Sequence, residues 1–107
     1  VMANTYNNVK VDLTTTNLTS LLTVASGSTV IIKSILVSED TGNTPTLTLT
    51  LVKNSDIFSL FKDKSFSSKQ TLELLDKPLV LEAGEILKAQ ASAANQLHII
   101  VSYLQIT

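Results

Sequence analysis

The stretch TLTLTLVK, residues 46–53, alternates threonine and leucine over its first six residues. Successive side chains of a strand point to opposite faces. A period of two therefore turns Leu47, Leu49 and Leu51 toward a core and Thr46, Thr48 and Thr50 toward solvent. A helix cannot place these leucines on one stripe, because its faces repeat every 3.6 residues. The rest of the chain has the same texture. Segments rich in Val, Ile, Leu and Thr recur at spacings near ten residues, divided by clusters of turn formers.

Strands are expected from about Leu18 to Val24 and from Thr29 to Ser38, joined by the turn Ala25-Ser26-Gly27-Ser28. The segment Glu39-Asp40-Thr41-Gly42-Asn43-Thr44-Pro45 is loop. In DIFSLFKD, the residues Ile57, Phe58, Leu60 and Phe61 fit a helical turn as well as a strand, and SFSSKQ reads as polar loop. TLELLDK fits a strand or one helical turn, since Leu72 and Leu75 lie three apart, and Pro78 ends it. LVLEAGEIL reads as strand, turn at Ala83-Gly84, strand. Asn95 lies in the turn before a last strand, Gln96 to Ile106. About eight strands predict an all-β fold, a two-sheet antiparallel sandwich of jelly-roll type. A small β-barrel is the alternative. Residues 17–107 form the expected single domain. Residues 1–16 are expected as a flexible N-terminal arm, with a candidate edge strand in VKVDLTTT.

A chain of 107 residues buries roughly 65% of its unfolded surface, enough for one core. It is 44% hydrophobic and 16% charged, too apolar for a disordered chain. Cysteine is absent, which removes disulfides, thiol catalysis and thiolate metal sites. All eight cations are lysines, and the net charge is −1. Without arginine forks for phosphates and guanine edges, a nucleic-acid partner is not expected. No run reaches the ~18 apolar residues of a membrane helix. VMANTYNNVK lacks the apolar stretch of a signal peptide; Met2 reads as an initiator and Val1 as an added residue.

Reaction chemistry is sparse. His98, the single histidine, has no second His, no Cys and no GxSxG elbow to work with, and reads as a strand histidine at a contact or rim. Glu39 and Asp40 sit in a loop where calcium is conceivable, but their spacing matches no EF-hand. Glu82 and Glu85 flank a turn and read as solvated. Lys62, Lys64 and Lys69 share a presumed loop that could meet an acidic partner. No catalytic residue, metal ligand or cofactor is expected.

Two strands carry apolar residues on both parities. In Thr29–Ser38, Val30, Ile32 and Leu36 fall on one face and Ile31, Ile35 and Val37 on the other. In LHIIVSYLQI, Leu97, Ile99, Val101 and Tyr103 oppose Ile100, Leu104 and Ile106. A sandwich strand buries one face only, so a second apolar face points to a protein contact. The contact residues expected are Ile31, Ile35, Val37, Ile100, Leu104 and Ile106, with the 2–16 arm as a clasp.

The segments LTSLLTVASGSTVIIKSILVSEDTG, TLTLTLV and LELLDKPLVLEAGEILKAQASAANQLHIIVSYLQI, in that order over residues 18–107, resemble small virion structural proteins of tailed bacteriophages. Gly27 and Gly84 match the two turn glycines of that family, and Val30, Ile35, Leu79, Leu81 and Leu87 match its core positions. Ser26 and Glu85 depart mildly from its pattern, and the 56–69 segment has its own character. The resemblance implies a non-enzymatic β-sandwich in the virion. The expected role is a capsid decoration (cement) subunit, acting as a homo-oligomer, with a trimer as one form, against other virion proteins. A neck or tail component and a module for host-surface glycans are the alternatives.

Overall fold

The computed structural model describes residues 4–107; residues 1–3 of the expected arm lie outside them. Nine strands occur: β1 Asn4–Leu13, β2 Thr19–Thr23, β3 Thr29–Glu39, β4 Thr46–Lys53, β5 Asp56–Ser65, β6 Thr71–Glu73, β7 Leu79–Leu81, β8 Glu85–Ala91 and β9 Leu97–Ile106. Among the described residues there is no helix. Of the two ambiguous segments, DIFSLFKD is strand throughout and TLELLDK is strand over its first three residues. DIFSLFKDKS pairs back on β4 through a two-residue turn, where Asn54 takes φ 57°; asparagine tolerates that left-handed conformation. TLE pairs with β3. Tertiary pairing thus overrides the three-residue leucine spacing. Residues 4–13, expected as a flexible arm with a candidate edge strand, form β1 along one sheet edge.

One sheet has the order β1-β9-β3-β6, with β7 also on β3, and the other has the order β2-β8-β4-β5. If β6 and β7 count as one interrupted strand, the antiparallel pairs β1·β9, β2·β8, β3·β6/β7 and β4·β5 are those of one long hairpin rolled up on itself. That is the eight-stranded jelly roll. The connections turn where the sequence allows it. In Ala25–Ser28, Ser28 N–H donates to the Ala25 carbonyl at 3.1 Å with Gly27 at φ 79°. Glu82–Glu85 repeats this, with Glu85 N–H on the Glu82 carbonyl at 3.1 Å and Gly84 at φ 84°. A positive φ at the third turn position is the type II pattern that selects glycine.

Ile32, Ile35, Val37, Leu47, Leu49, Leu81, Leu87, Ala89, Leu97, Ile99 and Val101 have no exposed surface and fill the space between the sheets. Two of the sequence expectations change here. In β3, Ile32 pairs with Tyr103 and Ser34 with Ser102, which leaves Lys33 as an extra residue. Such a bulge reverses the in–out parity beyond it. Val30 and Ile32 point inward before it; Ile35, Val37 and Glu39 point inward after it. Ile35 and Val37, expected at a contact, are therefore core residues, and Leu36, expected with Val30 and Ile32, is 39% exposed. In β4, Thr50 and Val52 are buried while Leu51 is half-buried. Thr50 lies beside Lys88 and Ser59, and Val52 beside Ile86 and Ile57, so the outer face of this sheet has apolar neighbours of its own.

The gap between β6 and β7 would leave β3 backbone groups unpaired. Glu73 fills it. Its carboxylate accepts from Ser34 Oγ, from Ile35 N–H at 2.8 Å and from Leu75 N–H at 3.2 Å, and Leu74 N–H reaches the Ile35 carbonyl at 2.9 Å. Burial pushes this carboxyl up, but the hydrogen bonds from Ser34, Ile35 and Leu75 outweigh it and hold the pKa below the usual carboxylate value.

Candidate functional site

The outer face of the five-stranded sheet is built by register. Val80 of β7 lies opposite Ile31 of β3, Ile31 opposite Leu104 of β9, and Leu104 opposite Tyr6 of β1. These four residues make one apolar row across four strands. Its ends are open, with Val80 53% and Tyr6 74% exposed. Two pairs along, Leu36 faces Ile100, and Ile100 faces Lys10; Leu36 and Ile100 are 39% and 40% exposed. Ile106 lies between Thr29 and Asn4 at the far end. Of the six contact residues expected from sequence, Ile31, Ile100, Leu104 and Ile106 share this face, while Ile35 and Val37 are beneath it. Sequence reasoning missed Tyr6, Leu36 and Val80. The signal for Tyr6 was its even parity with Asn8, Lys10 and Asp12 in β1. Leu36 required knowledge of the bulge.

At the other end of this face Ser38, His98 and Asp12 lie in one row across β3, β9 and β1. The composition is that of a hydrolase triad, but the geometry is not. His98 Nε2 sits 3.5 Å from Asp12 Oδ1 and 3.9 Å from Asp40 Oδ1, so both carboxylates address one nitrogen. A triad needs the acid on one ring nitrogen and the hydroxyl on the other. The His98 and Asp12 side chains are 48% and 57% exposed, and the arrangement brings β1, β9 and Asp40 together at one nitrogen.

Glu39 turns inward after the bulge and is 1% exposed. Its carboxylate accepts from Thr41 Oγ1 and Thr41 N–H, from Gly42 N–H at 2.9 Å and from Lys69 N–H at 3.1 Å. Burial pushes the carboxyl up. Hydrogen bonds from Thr41, Lys69, Gly42 and Asn43 more than reverse this and hold the pKa at about 2. The residue considered for calcium thus orders the 40–44 loop through these hydrogen bonds. Glu85 is similarly engaged, its Oε1 accepting from Glu82 N–H at 2.6 Å, so it caps its own turn and is buried rather than solvated.

The 56–69 segment is a strand for most of its length, not a loop. Ile57, Phe58 and Leu60 of β5 are 62%, 55% and 36% exposed, and Lys62 and Lys64 lie on the same strand. On the outer face of the four-stranded sheet, a cleft is lined by Thr16, Thr46, Thr48, Lys62, Gln90 and Ser92. Asp63 stands in it with its backbone N–H 3.1 Å from Thr48 Oγ1.

No family model matches the chain, and no curated protein matches it in sequence. Solved structures do resemble it in shape. Two crystal structures of a pentameric capsid protein isolated from metagenomic phage sequences share 16% identity with it, at TM-scores of 0.47 and 0.43. They cover 94% of this chain, which spans 58% and 66% of theirs. The cryo-EM structure of the extra small virus VLP of the giant freshwater prawn Macrobrachium rosenbergii has 11% identity and a TM-score of 0.47, covering 98% of this chain and 78% of its own. Eiger TNF from S. frugiperda follows with 14% identity and a TM-score of 0.39, covering 99% and 90%.

Proposed function

We propose that the chain is a non-enzymatic bacteriophage virion structural protein, a capsid decoration subunit that works as a homo-oligomer against other virion proteins. The observation that carries this reading is the apolar row Val80–Ile31–Leu104–Tyr6 on a sheet face that no other element of the chain covers among the described residues. The resemblance of residues 18–107 to small tailed-phage virion proteins supports it. Covering ~500 Å² of apolar surface at ~25 cal/mol per Å² is worth about 12 kcal/mol before association costs. A protein that binds only the assembled shell stabilises that shell by mass action. Electron microscopy of phage carrying a gold-labelled copy tests the role. Label over the head surface is expected; label at the neck or tail would move the subunit there, and unlabelled particles would remove the virion reading.

The cleft at Thr48, Lys62, Asp63 and Gln90 favours one second reading, a host-surface glycan module, because hydroxyl, amide and charged groups converge there. Sugar binding on a glycan array that is lost on Asp63→Ala would support it.

A further inference from the structure

A jelly roll has four sheet edges, and in this chain three of them are blunted. β2 has five residues and a register shift between Ser20 and Leu22. β5 slips twice against β4, at Leu47/Leu49 and at Leu49/Thr50. β6 and β7 have three residues each and are separated by the segment holding Pro78. Short strands, bulges and prolines are the usual means of keeping an edge from pairing with another chain. β1 carries none of them. Its register with β9 is unbroken over all ten residues, from Asn4↔Ile106 to Leu13↔Leu97. Among the described residues no strand pairs with its far side.

We propose that this edge is the self-association surface, and that β1 pairs antiparallel with β1 of a second copy about a two-fold axis at Asn8. Two features of the sequence select this partner and register. With the axis at Asn8, Tyr6 of one copy lies opposite Lys10 of the other, and Asn4 opposite Asp12. No like charges meet, and each lysine lies beside an aromatic ring, a favourable cross-strand pair. The outer faces of both copies stay on one side, because paired residues share parity. The row Val80–Ile31–Leu104–Tyr6 then continues directly into Lys10–Ile100–Leu36 of the second copy. Two half-width apolar rows become one that crosses the joint sheet, twice over by symmetry. An isologous contact of this kind closes on itself and gives a dimer rather than a fibre. Main-chain pairing at a sheet edge supplies the affinity, as in strand addition generally.

This deepens the homo-oligomeric part of the reading above, and rests on that part alone. A chain that dimerises in solution but labels no virion would leave the contact standing and remove the virion role.

The chain has no cysteine, so a single introduced thiol reports its own neighbour. Asn8→Cys places each thiol opposite its symmetry mate, within the ~4.4–6.8 Å between Cα atoms that a disulfide bridges. Oxidation should give covalent dimers. Lys10→Cys should not link to itself, since its mate lies four residues away along the strand, about 13 Å. Mixed with Tyr6→Cys, it should give a heterodimer. Light scattering of the unaltered chain should show a dimer at about 100 µM, a hundredfold above a micromolar Kd. A monomeric mass at that concentration overturns the proposal. So does cross-linking that is equal for Asn8→Cys, Lys10→Cys and a β5 control, Lys64→Cys. All these positions are exposed, so the variants are expected to fold, which far-UV circular dichroism verifies.

Discussion

The bulge at Lys33 assigns neighbouring residues of β3 to opposite fates, and a pair of alanine substitutions tests it. Ile35 has no exposed surface; Leu36, next to it, is 39% exposed. Ile35→Ala removes three buried carbons, ~0.8 kcal/mol each by transfer, so about 2.4 kcal/mol before any cavity. Incomplete collapse of the site raises this to about 3–4 kcal/mol, within the range measured for buried Ile and Leu. Leu36→Ala removes the same number of carbons from a side chain that keeps much of its contact with water, and about 1 kcal/mol is expected. The difference, about 2–3 kcal/mol, is a 30- to 150-fold change in the unfolding equilibrium. It is also a large share of the 5–15 kcal/mol that holds a typical domain. Equilibrium urea unfolding at sub-micromolar protein, where self-association adds little, measures both. The m-value should stay constant so that midpoints report stability alone. A regular β3 would place Leu36 on the same face as Val30 and Ile32. If Leu36→Ala costs more than Ile35→Ala, the bulge is wrong and the core assignment with it. Deleting Lys33 is the complementary perturbation. Without the extra residue, either Val30 and Ile32 or Ile35, Val37 and Glu39 must leave the core, so the chain is expected not to fold.

Glu39 has its folded pKa at about 2 against an unfolded value of 4.5, so its contribution to stability is complete above about 4.5 and is lost as the pH falls toward 2. Glu39→Gln should flatten the stability profile over that window in urea titrations at stepped pH; an unchanged profile would show that the carboxylate is not what pins the 40–44 loop. Gly84→Ala meets no atom within 4 Å but forces alanine to φ 84°; about 1 kcal/mol, a drop in Tm of roughly 4–8 °C by calorimetry, is expected. Ile100→Asp with Leu104→Asp should leave the circular dichroism spectrum and the cooperative melt in place and abolish binding to virions. Collapse of the fold would return both residues to the core.

The sandwich was legible because period-two alternation and turn glycines are local properties. Gly27 and Gly84 mark turns whose φ only glycine takes freely, and Leu47 and Leu49 mark the inward face of β4. β5 and β6 were not legible, since a run such as DIFSLF satisfies a helical turn and a strand equally and only the partner strand decides. The apolar doubling of β9 is one inner and one outer face, with Leu97, Ile99 and Val101 buried and Ile100, Leu104 and Ile106 on the outer side. The same inference failed for half of β3. There the doubling arises from a bulge: two apolar sets of opposite parity both point inward because the parity changes between them. A bulge has no sequence signature strong enough to see. Its support is long-range, the carboxylate of Glu73 reaching Ser34 and Ile35 from a different strand.

His98 shows the same limit from the other side. Its acidic neighbours are Asp12, far away in sequence but opposite it in the β1·β9 register, and Asp40, delivered by the loop that Glu39 orders. Neither is within reach of spacing rules, because both depend on strand order. Once that order is known, Asp12 follows from register, and Asp40 from the end of β3, two residues past Ser38, which pairs with His98. The apolar row follows in the same way, since Tyr6, Leu104, Ile31 and Val80 lie in four distant parts of the sequence and meet only through three pairings. A surface assembled wholly by register moves as a unit. A one-residue slip of β1 would turn Tyr6 inward and Asp12 away from His98 together. The Asp12–His98 contact at one end of β1 therefore helps to fix the position of the apolar row at the other. For that reason, loss of Asp12 should weaken strand contacts that it does not itself touch.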